Sequence, residues 1–417
     1  MRTTVVFALL LVLFSLCNAS FAEENWPQWR GPEQRGVASA GNYPVRFSPE
    51  ENVAWKIALP GRGCSTPAVW GERIFVTCAI EDQDGVLCYD FDGQEVWRKQ
   101  FGQQRAGKHR NGSGSNPSPV TDGEHLVVYY KSGTVACLDL QGNEKWQLNL
   151  QKKYGEDKLW WDLGTSPVLA NGNAIIAVMN AGEGYLVALD LETGEVAWKT
   201  DRTYQTAVES DQAYTTPSVV ESEGRKVIVT AGADHVTGHD AQSGELLWEY
   251  SDLNPENQGM WRMIASPVAT EEAVVVPYGR GDFLVAVKLG GNGDVTDSHE
   301  LWKKKLDGPD VPTPVAVDGR VIVLGDGGEL TCLEVSSGDQ LWQANLPRAR
   351  AKYYASPVLA GNTLYCTRED GVIITCEVAS DFSLIAENTI NDRLIATPIP
   401  LRDQLLVRGE EHLYLFE

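Results

Sequence analysis

The chain of 417 residues carries 35 Lys and Arg against 57 Asp and Glu, a formal net charge of -22, with 43% hydrophobic residues. That balance supports a globular fold with a large core, and it excludes electrostatically driven binding to nucleic acid or anionic lipid by the protein as a whole. The 40 glycines and 13 tryptophans, without heptad-like Ala/Leu/Lys runs, favour strands and turns over helices.

Residues 1–22 read as an export signal. Arg2 supplies a positive start, Val5 to Leu16 is an apolar run too short to span a bilayer, and Ser20-Phe21-Ala22 offers a small-x-small site with cleavage after Ala22. Cys17 raises lipoprotein processing, but Leu16 stands where that processing wants Gly, Ala or Ser. No later stretch approaches the ~20 apolar residues of a transmembrane helix, so no membrane span is expected. The mature chain is expected in the periplasm or cell envelope, with extracellular release as the alternative. Cys88, Cys137, Cys332 and Cys376 share a repeat position with Ala188, Gly238 and Ala286, which points to small core residues more than to a disulfide framework. A cross-strand bridge between Cys78 and Cys88, or Cys366 and Cys376, stays open.

Residues 23–52 show no periodicity and are read as a lead-in segment packed against the outside of the main domain, which runs from 53 to 417. Asn52 to Leu59 is a strand carrying Trp55. From there two landmarks recur. Ser/Thr-Pro opens an apolar strand at Thr66, Ser118, Ser166, Thr216, Ser266, Thr313, Ser356 and Thr397, spaced by 41 to 52 residues. A tryptophan closes the unit at Trp97, Trp146, Trp198, Trp248, Trp302 and Trp342. In the seventh unit, around Ser383 to Glu387, it is missing.

Four short strands per period of 40 to 50 residues signal a β-propeller. In unit three the strands are expected at Ser166 to Ala170, Ala174 to Met179, Leu186 to Asp190 and Glu195 to Lys199. The ends of the array are complementary: the eighth unit stops before its fourth strand, and the chain begins with an orphan strand at Val53 to Leu59. The expected fold is therefore all-β, an eight-bladed propeller of four-stranded blades, with the Trp55 strand closing the last blade and removing the open edges of a stacked array. Trp55 is expected to dock like the other six tryptophans.

The motif that repeats, at its fullest in Ala188, Asp190, Thr193, Gly194 and Trp198, resembles the A-x-D-x-x-T-G-x-x-x-W tryptophan-docking motif of the quinoprotein family. Degraded copies stand at Gly238, Asp240, Gly244, Trp248, at Cys332, Glu334, Gly338, Trp342, and, one residue shorter, at Cys88 to Trp97 and Cys137 to Trp146. The resemblance covers residues 53 to 417 and implies the eight-bladed PQQ-like fold. It is closer to the propeller of outer-membrane barrel assembly than to the quinone dehydrogenases. The resemblance to the dehydrogenases implies a bound pyrroloquinoline quinone (PQQ) with calcium, but their adjacent cysteine pair and their C-x-x-C-H haem site are missing from the sequence.

Generic catalytic signatures are also missing: there is no H-E-x-x-H, G-x-S-x-G or P-loop. No catalytic residue and no metal ligand is assigned. His235 and His239 fall in one hairpin, where a spacing of four does not make the helical zinc geometry, and Asn292, Asp294 and Asp297 read as a solvated turn.

The loops from each outer strand to the next inner strand carry the chemistry that remains. Arg98 to Ser115 holds Arg98, Lys99, Arg105, Lys108, His109 and Arg110 without an acid, and Gln343 to Ala355 holds Arg348, Arg350 and Lys352 beside Tyr353 and Tyr354. Neighbouring loops add Trp160, Trp161, Asp162, Tyr214, Trp261, Arg262, Asp392 and Arg393. Basic groups among aromatics on one face would grip a protein or an anionic glycan; solvated charges with aromatic lids are the plainer alternative. The favoured expectation is thus a binding or scaffold module of the envelope, akin to barrel assembly. The alternative is a PQQ-dependent dehydrogenase of alcohols or sugars with Asp162 as base.

Overall fold

A computed structural model describes residues 25–306, 309–379 and 381–417. The export signal and Cys17 lie outside the described residues.

The expected ring is present: eight antiparallel four-stranded blades follow one another along the chain, two of them extended by a fifth, parallel strand, and only the last draws its own four strands from both ends of the chain. Blade three runs Val168–Ala170, Asn173–Asn180, Glu183–Asp190 and Val196–Asp201. Its second and third strands are almost wholly buried because neighbouring blades cover both faces, whereas its outer strand alternates exposed residues with half-buried ones and the buried Trp198. Blade eight takes Ile399–Leu401, Gln404–Arg408 and His412–Phe416 from the end of the chain and Val53–Ala58 from its beginning. Trp55 pairs with Leu415 and Ile57 with Leu413 in that closing ladder.

The tryptophan docks across blades, not within one. Trp146 of blade two lies over Gly194 in the turn of blade three and donates its indole N–H to Leu191 O at 2.8 Å. Gly194 has φ 71°, and a Cβ there would stand 2.6 Å from the indole, so both backbone and contact require glycine. The same bond links Trp55 to Phe91, Trp97 to Leu140, Trp198 to Ala241 and Trp302 to Val335. Within its own sheet each of Trp97, Trp146, Trp198, Trp248, Trp302 and Trp342 sits opposite a small residue, Ala188 for Trp198, beside a bulge. Asp190 fixes the turn by accepting Thr193 N and Thr193 Oγ1 at 2.9 Å each, bonds that hold its carboxyl below the usual carboxylate range.

Two tryptophans depart from this scheme. Trp248 meets the blade-five insertion, where Gly293–Asp294 pairs in parallel with its strand and Leu289 and Val295 join its core cluster. The indole nitrogens of Trp248 and Trp342 are buried without an acceptor among the described residues.

The lead-in segment corrects the expectation that it lies on the outside. Trp26 pairs with Val69 of blade one, and Pro27 O accepts Thr121 N of blade two at 2.9 Å. Gln34 Oε1 accepts Val219 N of blade four at 2.7 Å, and Arg35 bonds Ala269 of blade five and Ala316 of blade six. Val37–Ala38 then joins the inner strand of blade seven in parallel. Residues 26–38 therefore cross one end of the central channel. Only the stretch after them packs peripherally, with Phe47 against Phe416 at 4.7 Å.

The seven described cysteines are free thiols, six of them buried. Cys88 faces Trp97, Cys137 faces Trp146 and Cys332 faces Trp342, as small partners for an indole.

Candidate functional site at the channel mouth

The channel is closed at the lead-in end and open at the face bearing the outer-to-inner loops, leaving a funnel of about 420 Å³. Trp29 contributes to its lining, next in the chain to the strap residue Arg30. The Ser/Thr of every Ser/Thr-Pro landmark lines the wall. These hydroxyls form a belt: Thr66 N donates to Ser118 Oγ at 3.0 Å, Ser118 N to Ser166 Oγ at 2.9 Å and Ser166 N to Thr216 Oγ1 at 3.0 Å. The series continues through Ser266, Thr313 and Ser356, and Thr397 N donates to Thr66 Oγ1 at 3.2 Å. The landmark thus exists to tie neighbouring blades at their inner ends. Proline at the next position needs no ladder donor there.

Five of the residues expected on the ligand face reach the funnel: His109, Trp161, Asp162, Arg262 and Tyr354. Arg110 and Arg350 line a second groove of about 590 Å³ with Glu369, Asp392 and Arg393. Arg105, Lys108, Arg348 and Lys352 are in neither lining.

The basic loops are not a field of free cations. Arg105 faces Asp157 at 3.8 Å, Arg110 faces Glu369 at 3.2 Å, and Lys108 Nζ donates to Leu159 O at 3.0 Å. Arg262 lies between Glu209 at 3.3 Å and Asp310 at 3.9 Å, with its guanidinium 5.6 Å from the Trp161 ring. Arg348, Arg350 and Lys352 are the exposed cations of the second basic loop.

Asp162 is the organising group of the mouth. It is buried, it forms an ion pair with the equally buried Lys131, and its oxygens accept Lys108 N at 2.8 Å and His109 N at 2.9 Å. A Cβ on Gly112 would run into it, so the glycine-rich loop folds directly over this carboxylate. His109 then lies edge-on to Trp161 at 5.8 Å across the rim.

Lys131 belongs to a set the sequence reading passed over: charged residues in the turn between the second and third strands of a blade, or, for Asp84, just inside the third strand. Asp84 accepts Ser132 Oγ of the next blade at 2.5 Å; Asp234 bonds Asn254 and Tyr278; Asp326 accepts Asp310 N at 3.1 Å; Glu369 holds Arg110 and Arg393. Burial raises Asp84 to about 7, and Asp234 and Asp326 to about 6. Lys131, Asp234, Asp326 and Glu369 anchor loops of the mouth, whereas Asp84 ties blade one to the corresponding turn of blade two. Lys131, Asp326 and Glu369 each stand 12 residues after a landmark proline, and that shared spacing was the available signal. Arg280, in the same turn of blade five, pairs with Asp310 at 3.0 Å on the rim.

The profile of the family described as outer membrane protein assembly factor BamB matches residues 48–201, 156–300 and 292–381. The chain belongs to that family. The BamB of Burkholderia pseudomallei is 27% identical over 352 residues, covering 75% of this chain and 83% of its own length. The BamB of Escherichia coli is 27% identical over 215 residues, covering 51% of this chain and 48% of its own. Among solved structures, BamB from Moraxella catarrhalis superimposes with TM-score 0.62 at 14% identity, covering 88% of this chain and 99% of that one. A europium-containing methanol dehydrogenase gives TM-score 0.69 at 9% identity, covering 94% and 98%, and this likeness shows the fold alone.

A quinone does not fit the mouth as the dehydrogenase alternative requires. Asp162, its expected base, is held by Lys131 and two backbone N–H groups. The rim arginines, Arg262 and Arg280, already face Glu209 and Asp310, which leaves little free positive charge for a tricarboxylate. Among the described residues no group of three His, Cys, Asp or Glu could hold a metal ion.

Proposed function

We propose that this chain is a binding propeller of the cell envelope that acts in outer membrane protein assembly and engages a protein partner through its loop face. The family match over residues 48–381 carries the reading. The surface supports it: Trp160, Trp161, Val208 and Met260 are exposed on adjoining loops of blades two to five, with Met260 N bonded to Val208 O at 2.7 Å. Exposed aromatic and apolar groups grouped on one face are typical of a protein-docking patch. Arg105, Arg110 and Arg262 are paired with acids and give no support to an anionic glycan. The reading places the protein on the periplasmic side of the outer membrane.

A photo-crosslinking residue at Trp160 or at Met260, with Leu246 on an outer strand as control, tests it in the native host. The expected result is a crosslink from the loop positions to a component of the outer membrane assembly machinery and none from Leu246. Crosslinks from Leu246 alone, or loop crosslinks only to proteins outside that machinery, would overturn the reading.

A further inference from the structure

The belt hydroxyls have two hydrogen-bonding capacities, and the blades use one. Thr66, Ser118, Ser166, Thr216, Ser266, Thr313 and Ser356 each accept a backbone N–H from the preceding blade. Each also owns an O–H, and among the described residues no protein acceptor takes it. All seven line the funnel, so a ring of donors borders the space above Trp29.

A second observation concerns charge. Arg30 is 1% exposed and donates to the carbonyls of Pro314 and Pro357, the residues directly after belt positions Thr313 and Ser356. No carboxylate contributes to its environment; burial alone lowers it to about 9. Its Nε is buried without a partner, and its guanidinium lies 6.0 Å from the centroid of the Trp29 ring. Arg408 repeats the pattern behind the wall at Cys64 and Ser65: it is 1% exposed, it donates to Ser65 O at 2.8 Å and Thr77 O at 2.7 Å, and it has no acid partner. Buried cations are ordinarily paired. Here two stand behind the channel wall with carbonyls but no carboxylate as partners, where low dielectric lets their field reach into the cavity.

We propose that the lower funnel binds a single carboxylate carried on a slim apolar stem. The hydroxyl ring would donate to its oxygens, and Arg30 and Arg408 would favour it through their field without touching it. Trp29, Ile264, Val311, Ile395 and Ala396 would surround the stem. A monoanion suits the site better than a dianion, because the Pro314 and Pro357 carbonyls already take up part of the Arg30 charge. Of the three aspartates in the lining, Asp162 pairs with Lys131 and Asp310 with Arg262 and Arg280, which leaves Asp326 as the opposing charge. Such a carboxylate is supplied either by a free short-chain acid or by an acidic side chain of a partner protein. The site would stand even if the assembly role failed.

Calorimetric titration and thermal melts of the purified protein at pH 7, with sodium butyrate against sodium chloride at equal ionic strength, provide the test. Butyrate should bind and raise Tm with concentration while chloride does not. Arg30→Met should weaken butyrate binding at least fivefold. Because that change also removes a strut, Asp326→Asn serves as the second variant, and it should tighten binding several-fold with no loss of fold. Acetyl-Val-Glu-amide against acetyl-Val-Gln-amide separates the sources: preference for the Glu peptide over butyrate assigns the site to a partner side chain, and the reverse to a free acid. Equal responses to butyrate and chloride together with no discrimination between the peptides would overturn the proposal, as would Asp326→Asn leaving butyrate affinity unchanged.

Discussion

At the scale of single residues, the docking tryptophans divide by what they meet across the blade junction. Trp198 is 9% exposed, rests on Gly244 and donates to Ala241 O at 3.2 Å. Trp342 is half-buried, and its indole nitrogen has no acceptor among the described residues. Removing Trp198 loses a large buried surface, leaves a cavity and orphans a carbonyl, so Trp198→Ala should cost about 3–5 kcal/mol. Trp342→Ala should cost about 1–2 kcal/mol, because less area and no hydrogen bond go with it. Urea denaturation of the two variants measures the difference, and equal losses would mean that burial across the junction does not set the energy. The same contrast shows what a repeat motif conveys. Trp198 ends the full motif and Trp342 a degraded copy, but what separates their docking is the following turn, glycine at 244 against the altered seventh unit.

At the scale of the element, the junction of the second and third strands of a blade is tied to its neighbours by buried charge, and Asp84, just inside the third strand of blade one, is the most buried case. Asp84 is fully buried, and one of its oxygens has no partner among the described residues while the other accepts Ser132 Oγ. Desolvation outweighs that single bond and raises the carboxyl to about 7. The unfolded chain ionises this group near pH 4, so between there and about 7 the folded state holds an extra proton. The stability that Asp84 contributes is fully present below the unfolded value and is lost as pH rises through the folded one. Asp84→Asn titrates in neither state. It should therefore gain on the wild type as pH rises from about 4 to 7, with a slope approaching about 1.4 kcal/mol per pH unit, and stay level above. Denaturation midpoints of both proteins at pH 4.5, 6 and 8 report the sign, and a gap that is constant with pH would show that Asp84 is ionised in the folded state. Asp234 and Asp326, raised to about 6, add the same trend over a narrower window.

At the scale of the whole molecule, ring size and closure were legible because both are properties of a period: Ser/Thr-Pro counts the blades, and the missing last strand names its replacement at Val53–Ala58. The path of the lead-in was not. Arg30, Gln34 and Arg35 hold the inner strands by side-chain bonds to isolated backbone groups, and such contacts leave no periodic trace. The loop cations were visible, but their neutralisation was not, since Arg110 finds Glu369 at a separation of 259 residues. Closure by a strand from the opposite end of the chain has an energetic consequence. Blade eight joins both ends of the chain, so its last ladder is formed at a higher loop-closure cost than a local hairpin. That ladder is held to blade one by Trp55, which lies over Gly93 and donates to Phe91 O at 2.8 Å. Trp55→Ala should therefore loosen one junction selectively. Amide protons of Val53–Ala58 and His412–Phe416 should exchange at least tenfold faster, while those of Asn173–Asn180 in blade three keep their rates. Hydrogen exchange read by mass spectrometry resolves these segments. Uniform acceleration in both regions would mean that the ring opens only as a single cooperative unit, and unchanged rates in blade eight would remove Trp55 from the closure.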